Sequence, residues 1–579
     1  MAETLISPGV LARENDSSFV SKRPVIVGAA IIGPTVKGPV EVPTIVTTYS
    51  EFTTLFGSTF VSGSTNDSQT YSYFTSIAAY NYFINGGTSL LVARVKSGSY
   101  SSAISSLIPT GSGGPTSGAS PFILSTLSKG TIMNSDSTES TGSLLSGSAD
   151  NVRWQIISAN TGSGTFDLLV RRGNDNTLQP TVLETWTNLS LDPLAGNYIA
   201  RVIGDQVENY NGSPNYQMEI SGSYANRSNY IYVKQVNFTT PNYFDNNGIA
   251  KVQYTGSIPT NASGTFGGAT GTIKGGAKFY NEISNTDSQG LTGGCYQNMV
   301  DLLSNKDDYQ FNILLTPGLV DDSINFATHI GIISSIITNT QNRGDNIFIL
   351  DPVAYGQPVS AVVQAAATRN TSYAAEYWPW CQIIDPGTGN LVWVPASTVI
   401  AGVYAYNDSV SEPWFAPAGI SRGGLSQVIR AEQRLSQANR DTLYTGKVNP
   451  ITTFPGTGVV VYGQKTLQTR ASALDRVNVR RLLITLKSYI SQVSNTLVFE
   501  QNSIATRNQF LSQVNPYLTS VQQRQGLYAY KVIMNEVNNN ADVIDRNELV
   551  GQIYLQPTKT AEFIYLDFNV TPTGATFPS

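Results

Sequence analysis

The spacing of apolar residues divides the chain into stretches of different period. Near the start, apolar runs at residues 25–32, 44–48 and 90–95 read as strands, the last of them buried, with a turn at Phe56-Gly57. Residues 71–84 carry a helical period closed by Gly86-Gly87, which predicts a compact β, α, β beginning. The chain ahead of it is irregular. Its one marked feature is Ser7-Pro8-Gly9-Val10, where Pro8 favours an extended arm over a helix. From residue 97 to about 147, Ser, Gly and Thr crowd the chain. Short alternating strands such as 166–170 and 230–236, split by Gly and Asn turns, then continue to about residue 294. This pattern predicts one or two β-rich inserted domains.

The period changes again after residue 295. Residues 311–315 form an apolar strand ending at Thr316-Pro317-Gly318, Asp321 or Asp322 is placed to cap a helix running to about 339, and 346–350 is a second apolar strand. A strand–helix–strand unit implies a parallel pair with a crossover helix, and another helix is expected at 359–368. In the last third, helices are expected at 395–406, 425–444, 477–493 and 503–514, with a short one begun by Asn515-Pro516. Strands at 527–536, 549–556 and 562–570 follow. On the 477–493 helix, Val479, Leu482, Leu483, Leu486, Ile490 and Val493 make one apolar stripe, flanked by Arg476, Arg480 and Lys487, with Arg481 opposite. As a pattern this is an amphipathic core helix whose arginine stems lie along apolar surface. The fold expected is a mixed, multidomain α+β chain: an arm over 1–22, core over 23–96, β-rich protruding insertion over 97–294, an α/β domain over 295–410, and a C-terminal core domain with its own arm over 411–579.

Composition narrows the class without deciding it. Hydrophobic residues make up 40% of the chain and charged residues 13%, against about 25% charged in an ordinary soluble domain. The 30 Tyr and 22 Phe exclude disorder throughout. Low charge suits a protein packed against copies of itself, since interface cores are depleted of charge; it suits a secreted β-rich protein equally. A net charge of −5 argues against a nucleic-acid binder. Between Ser421 and Lys531, however, fourteen Lys and Arg face only four acids. Such a basic segment suits an acidic partner or an acidic patch on a neighbouring copy, and solvated helix faces explain it as well. Cys295 and Cys381 are no disulfide framework. Residues 1–19 lack a basic segment followed by an apolar run, so no secretory signal is expected. The absence of about 18 consecutive apolar residues predicts no membrane insertion.

Little reactive chemistry is legible. Gly419-Ile420-Ser421-Arg422-Gly423 matches the G-x-S-x-G nucleophile pattern, but Pro417 spoils the strand that should precede it, and the one histidine, His329, lies upstream of the serine. His329 shares a helical face with Phe326, Ile330, Ile333 and Ile337, which favours a core role. One His and two distant Cys make no metal site, and no phosphate-binding glycine loop is present. No catalytic residue, metal or cofactor is expected; a chain of this length with so little chemistry reads as structural. An exported adhesin is the rival from composition, and a hydrolase the rival from Ser421.

Several strings near the C-terminus fall in a recognisable order: Trp393-Val394-Pro395; Trp414-Phe415-Ala416-Pro417-Ala418-Gly419 with Arg422-Gly423; Val461-Tyr462-Gly463-Gln464-Lys465-Thr466; Asp475-Arg476-Val477-Asn478-Val479-Arg480-Arg481-Leu482; Val543-Ile544-Asp545-Arg546-Asn547-Glu548; and Tyr554-Leu555-Gln556-Pro557. In these the chain resembles the tail sheath proteins of contractile-tailed phages, in the T4-like branch. The likeness is dense over residues 391–570, looser over 7–95, and absent over 97–294.

The resemblance implies a sheath subunit of a virion, assembled in the host bacterial cytoplasm. It implies stacked six-fold rings wound helically around a tail tube, contraction that drives the tube through the host envelope, and partners in the tube, baseplate and neck or terminator proteins. Terminal arms would complete a neighbour's sheet, here with Leu5, Ile6, Pro8, Gly9 and Val10 at one end and Phe563, Ile564, Leu566, Phe568 and Val570 at the other. Arg476, Arg480, Arg481 and Lys487 are the expected tube or neighbour contacts. A phage-derived injection machine is the variant reading, and the large insertion favours a virion.

Overall fold

The computed structural model describes residues 26–62, 69–111, 119–134, 149–176, 178–271 and 279–563. An eight-stranded sheet forms the core, in the order Thr44–Val46, Leu90–Arg94, Ile26–Gly33, Gln310–Val320, Ile347–Asp351, Ala374–Trp378, Val448–Phe454 and Gly458–Val461. The six inner strands run parallel, and the two outermost pair antiparallel to their neighbours. Parallel strands covered on both faces need side chains that are apolar in both directions. Ala29, Ile31, Ile313, Leu315, Ile347 and Ile349 accordingly pack with helices Tyr49–Phe56, Phe74–Ile84 and Ser397–Val410. Ala30, Ile32, Leu314, Phe348 and Leu350 pack with Gln297–Leu302, Ala327–Arg343 and Val359–Ala367.

The insertion is a seven-stranded antiparallel sheet, in the order Val182–Ser190, Thr165–Arg172, Val152–Asn160, Ala262–Gly267, Ser102–Ser105, Phe122–Lys129 and Ile231–Val236. It closes over its own core, which includes Phe122, Trp154, Phe166 and Ile231. Polar ties dock it on the core sheet. The buried Arg94 guanidinium donates to Gly38 O of the core at 2.6 Å and to Lys129 O of the insertion at 3.0 Å, and Lys37 pairs with Asp150 of the insertion at 3.4 Å.

A fourth apolar cluster builds the C-terminal lobe. Leu482, Leu486 and Val493 of helix Val477–Asn495 meet Phe510, Val514, Leu518 and Val521 of helix Ile504–Gln523. The hairpin Leu527–Ile533 with Gln552–Pro557 covers them, and Trp414 enters from the core side.

Five expectations about elements need correction. The strand expected to end at Thr316-Pro317-Gly318 runs through those residues, over Gln310–Val320. Residues 49–56, where only a turn at Phe56-Gly57 was expected, form a helix: Thr48 Oγ1 accepts from Glu51 N, and a Glu51 carboxylate oxygen accepts from Thr47 N. The helix expected over 425–444 is a strand, Val428–Ala431, followed by the helix Gln437–Thr445 capped by Ser436; pairing of that strand with Cys381–Ile384 outweighs its helical spacing. Neither Asp321 nor Asp322 caps the helix Ala327–Arg343. Asp322 closes a turn through Ile324 N and Asn325 N, while Asp321 is buried against Arg369. The two helices expected around Asn515-Pro516 are one, with Pro516 inside it. Two other readings agree with the structure. His329 is buried, its Nδ1 accepting from Val320 N at 3.2 Å. Ser421 lies exposed in a turn closed by Gly423 N donating to Gly419 O, with no strand-to-helix elbow around it.

Candidate intersubunit surface

The arginines of the 477–493 pattern hold the C-terminal lobe to the core. Helix Val477–Asn495 begins where Asp475-Arg476 pairs back on the chain following strand Gly458–Val461: Thr466 N donates to Asp475 O at 3.0 Å and Val477 N to Gln464 O at 2.8 Å. One turn later, Arg480 donates to Ser372 Oγ and lies 4.0 Å from the centre of the Tyr373 ring. Arg481 is paired with Asp408 and lies 4.7 Å over Tyr404. Burial pulls the Arg480 guanidinium below its usual range. For Arg481 the same burial is outweighed by Asp408, which holds it above. Both are buried and have partners in their own chain, whereas Lys487 is exposed and donates to Tyr373 Oη at 3.3 Å.

Arg476 joins the two ends of the lobe. Its Nε donates to Glu562 Oε1 at 2.7 Å and its Nη2 to Oε2 at 2.9 Å, a forked pair spanning 86 positions. Tyr444 Oη donates to the same carboxylate at 2.6 Å and Gln464 Nε2 at 3.0 Å. Burial alone would raise the Glu562 carboxyl, but donors from Arg476, Tyr444 and Gln464 hold it below the usual range. The Tyr444 hydroxyl is raised by burial and by the Glu562 carboxylate. Immediately beyond, Phe563 is 67% exposed.

The hairpin presents the other half of the surface. Leu527, Tyr530, Val532, Ile553 and Leu555 face the lobe's core, while Tyr528 and Tyr554 are 62% and 56% exposed on the other side. Among the described residues these two strands form a sheet by themselves, leaving both outer edges without a paired strand. Unpaired strand edges are templates for another strand. Leu5, Ile6, Pro8, Gly9, Val10, Ile564, Leu566, Phe568 and Val570 lie outside the described residues.

Sequence reasoning singled out the arginines and missed what they bind. Glu562, Asp408 and Ser372 are far from them along the chain, and no local spacing connects a carboxylate to an arginine 86 positions earlier. Among the described residues no cluster of His, Cys, Asp and Glu could hold a metal ion, and no helix is long and apolar enough to cross a membrane.

The stretch that carries these residues resembles known proteins. Residues 290–467 match the family model described as phage tail sheath protein central domain, and residues 469–571 match the phage tail sheath C-terminal domain. Over 185 residues, 32% of the chain, it is 46% identical to the tail sheath protein of Vibrio phage KVP40 and 42% identical to that of Enterobacteria phage T4. The aligned stretch takes in 28% of the length of each relative. The crystal structure of a sheath tail protein from Listeria innocua superposes with a TM-score of 0.53 at 10% identity, covering 92% of this chain and 96% of that one, which is a likeness of fold.

Proposed function

The chain belongs to the phage tail sheath protein family, and from that premise we propose that it is the subunit of a contractile sheath in a phage virion. It polymerises as stacked hexameric rings around a tail tube, and the polymer shortens to drive the tube through the host envelope during genome delivery. The observation that carries this reading is the C-terminal lobe. It combines a hairpin whose two edges carry no further strand among the described residues, an exposed Phe563 at the end of those residues, and the family's C-terminal domain match over the same stretch. Arms built from residues 5–10 and 563–570 of neighbouring copies supply the missing strands, joining backbone to backbone so that subunits stay tethered as they move. Head-to-tail contacts of this kind do not close on themselves and propagate as a filament.

Exposed Lys487, with Arg476, Arg480 and Arg481 anchoring its helix, forms the contact with the tube or a neighbouring copy. Exposed ion pairs of about 0–1 kcal/mol hold such a contact and still release on contraction. The partners are the tube, baseplate and neck or terminator proteins, and assembly takes place in the bacterial cytoplasm.

Negative-stain microscopy of the concentrated, purified protein, with and without tube protein, tests the reading. Hollow tubes of uniform width, or sheathed tubes when tube protein is added, are expected. Monomers under both conditions would contradict it.

A further inference from the structure

We propose that the ion pair between Arg476 and Glu562 is a clasp that sets the root of the C-terminal arm, so that strand exchange between copies depends on the pair staying closed. This rests on the reading of the chain as an arm-exchanging sheath subunit.

The clasp sits where the chain both enters and leaves the C-terminal lobe. Arg476 is the last residue before helix Val477–Asn495, and its backbone is held against the core: it bridges Lys465, and its neighbours Asp475 and Val477 bond to Thr466 and Gln464. Glu562 is the last partnered residue before the exposed Phe563. Between them the chain makes two long helices and the hairpin, with the short helix Ala541–Asp545 between its strands, then crosses back to the core as a short strap. Thr558 N donates to Gly526 O, Gln464 Nε2 donates to Thr560 Oγ1 at 2.6 Å, and Glu562 docks on Arg476, Tyr444 and Gln464.

Four hydrogen bonds from three side chains converge on one carboxylate. A guanidinium fork fixes both the position and the plane of the carboxylate it holds. Lys465 adds positive charge behind the site, 4.2 Å over the Tyr444 ring, and Asp475 pairs with Arg476 from the other side at 3.0 Å. The position and plane of the Glu562 carboxylate, one residue before Phe563, are therefore imposed by groups on the core, not by the hairpin that precedes it. The lobe's own core, centred on Leu482, Phe510, Val514 and Leu518, does not include the pair. Opening the clasp therefore frees the arm's root while leaving the lobe folded, which separates a positioning role from a merely structural one.

The test uses the full chain, with Glu562→Gln, Tyr444→Phe, the charge-swapped double variant Arg476→Glu with Glu562→Arg, and a truncation ending at Glu562. Polymerisation is followed by sedimentation, and folding by near-ultraviolet circular dichroism and thermal melting. Glu562→Gln is expected to keep the wild-type spectrum and melt at most a few degrees lower, while the concentration needed for polymerisation rises about tenfold, equivalent to about 1.4 kcal/mol. Tyr444→Phe should raise it less, and the charge swap should recover part of the loss. Polymerisation of Glu562→Gln at the wild-type concentration, with the truncation inactive, would overturn the clasp and leave the arm reading standing. A charge swap that folds but assembles no better than Glu562→Gln would also overturn the clasp. A truncation that polymerises like the full chain would overturn the arm reading itself.

Discussion

Arg480 and Arg481 are neighbours in the chain, yet each is buried against a different part of the core, one on Ser372 and Tyr373, the other on Asp408 and Tyr404. Removing one member of a buried pair leaves the other desolvated without compensation. Arg481→Ala is therefore expected to destabilise the fold by about 3 kcal/mol, the low end for such losses because Asp408 is partly exposed; urea denaturation would show it. Lys487→Glu should change stability by less than about 0.5 kcal/mol, as exposed substitutions do, and act on assembly alone. A second residue-scale effect comes from Glu376, wholly buried in the core sheet beside Asp321, with no donor to either carboxyl oxygen. Burial followed by the Asp321 charge holds the Glu376 carboxyl well above its usual range, so it keeps its proton where an ordinary carboxyl has lost it. Arg369 forks onto Asp321 from the other side, and Lys447 adds a weaker opposing charge. A carboxyl raised on folding binds more protons in the folded state than in the unfolded state. Its contribution is thus largest at low pH and falls as pH rises above the unfolded value of about 4.3. Glu376→Gln should melt higher than wild type at pH 8–9, with the difference narrowing towards pH 5. A difference that does not depend on pH would contradict a proton retained on Glu376.

At the scale of elements, what was legible is what local periodicity encodes. The apolar stripe on helix Val477–Asn495 and the parallel strands Ile347–Asp351 and Leu90–Arg94 stand where their spacing put them. The helix Tyr49–Phe56 also carried its signal, Thr48 followed three positions later by Glu51. Strand Val428–Ala431 did not, because its conformation is decided by a partner strand more than forty positions away. Helix Ile504–Gln523 shows the same priority of packing over local preference. Pro516 forfeits one backbone bond, but Phe510, Val514, Leu518 and Val521 on both sides of it enter the same apolar cluster. Pro516→Ala is expected to raise stability by about 1–3 kcal/mol by restoring that bond and relieving the ring's clash with the preceding turn. An unchanged or lower melting temperature would mean that the proline is accommodated without cost.

For the whole molecule, the arrangement separates a rigid body from the means of joining bodies. One core sheet draws strands from residue 26 to residue 461, so the N-terminal part and the α/β section form one framework with helices on both faces. The β-rich insertion keeps its own core and docks through Arg94 and the Lys37–Asp150 ion pair, outside the stretch that matches the family. The surface proposed to join copies lies elsewhere, on the C-terminal lobe with its open-edged hairpin. The abrupt change in composition at residue 97 made the insertion legible in the sequence. The clasp between Arg476 and Glu562 was not, since it depends on the lobe folding back to its own starting point. A cryo-electron microscopy reconstruction of the assembled polymer tests the central claim most directly. It should show six-fold rings in which the strands Leu527–Ile533 and Gln552–Pro557 of each subunit are flanked by arms from neighbouring subunits, forming one continuous sheet. A polymer whose hairpin edges remain in solvent, with each arm folded on its own subunit, would contradict it.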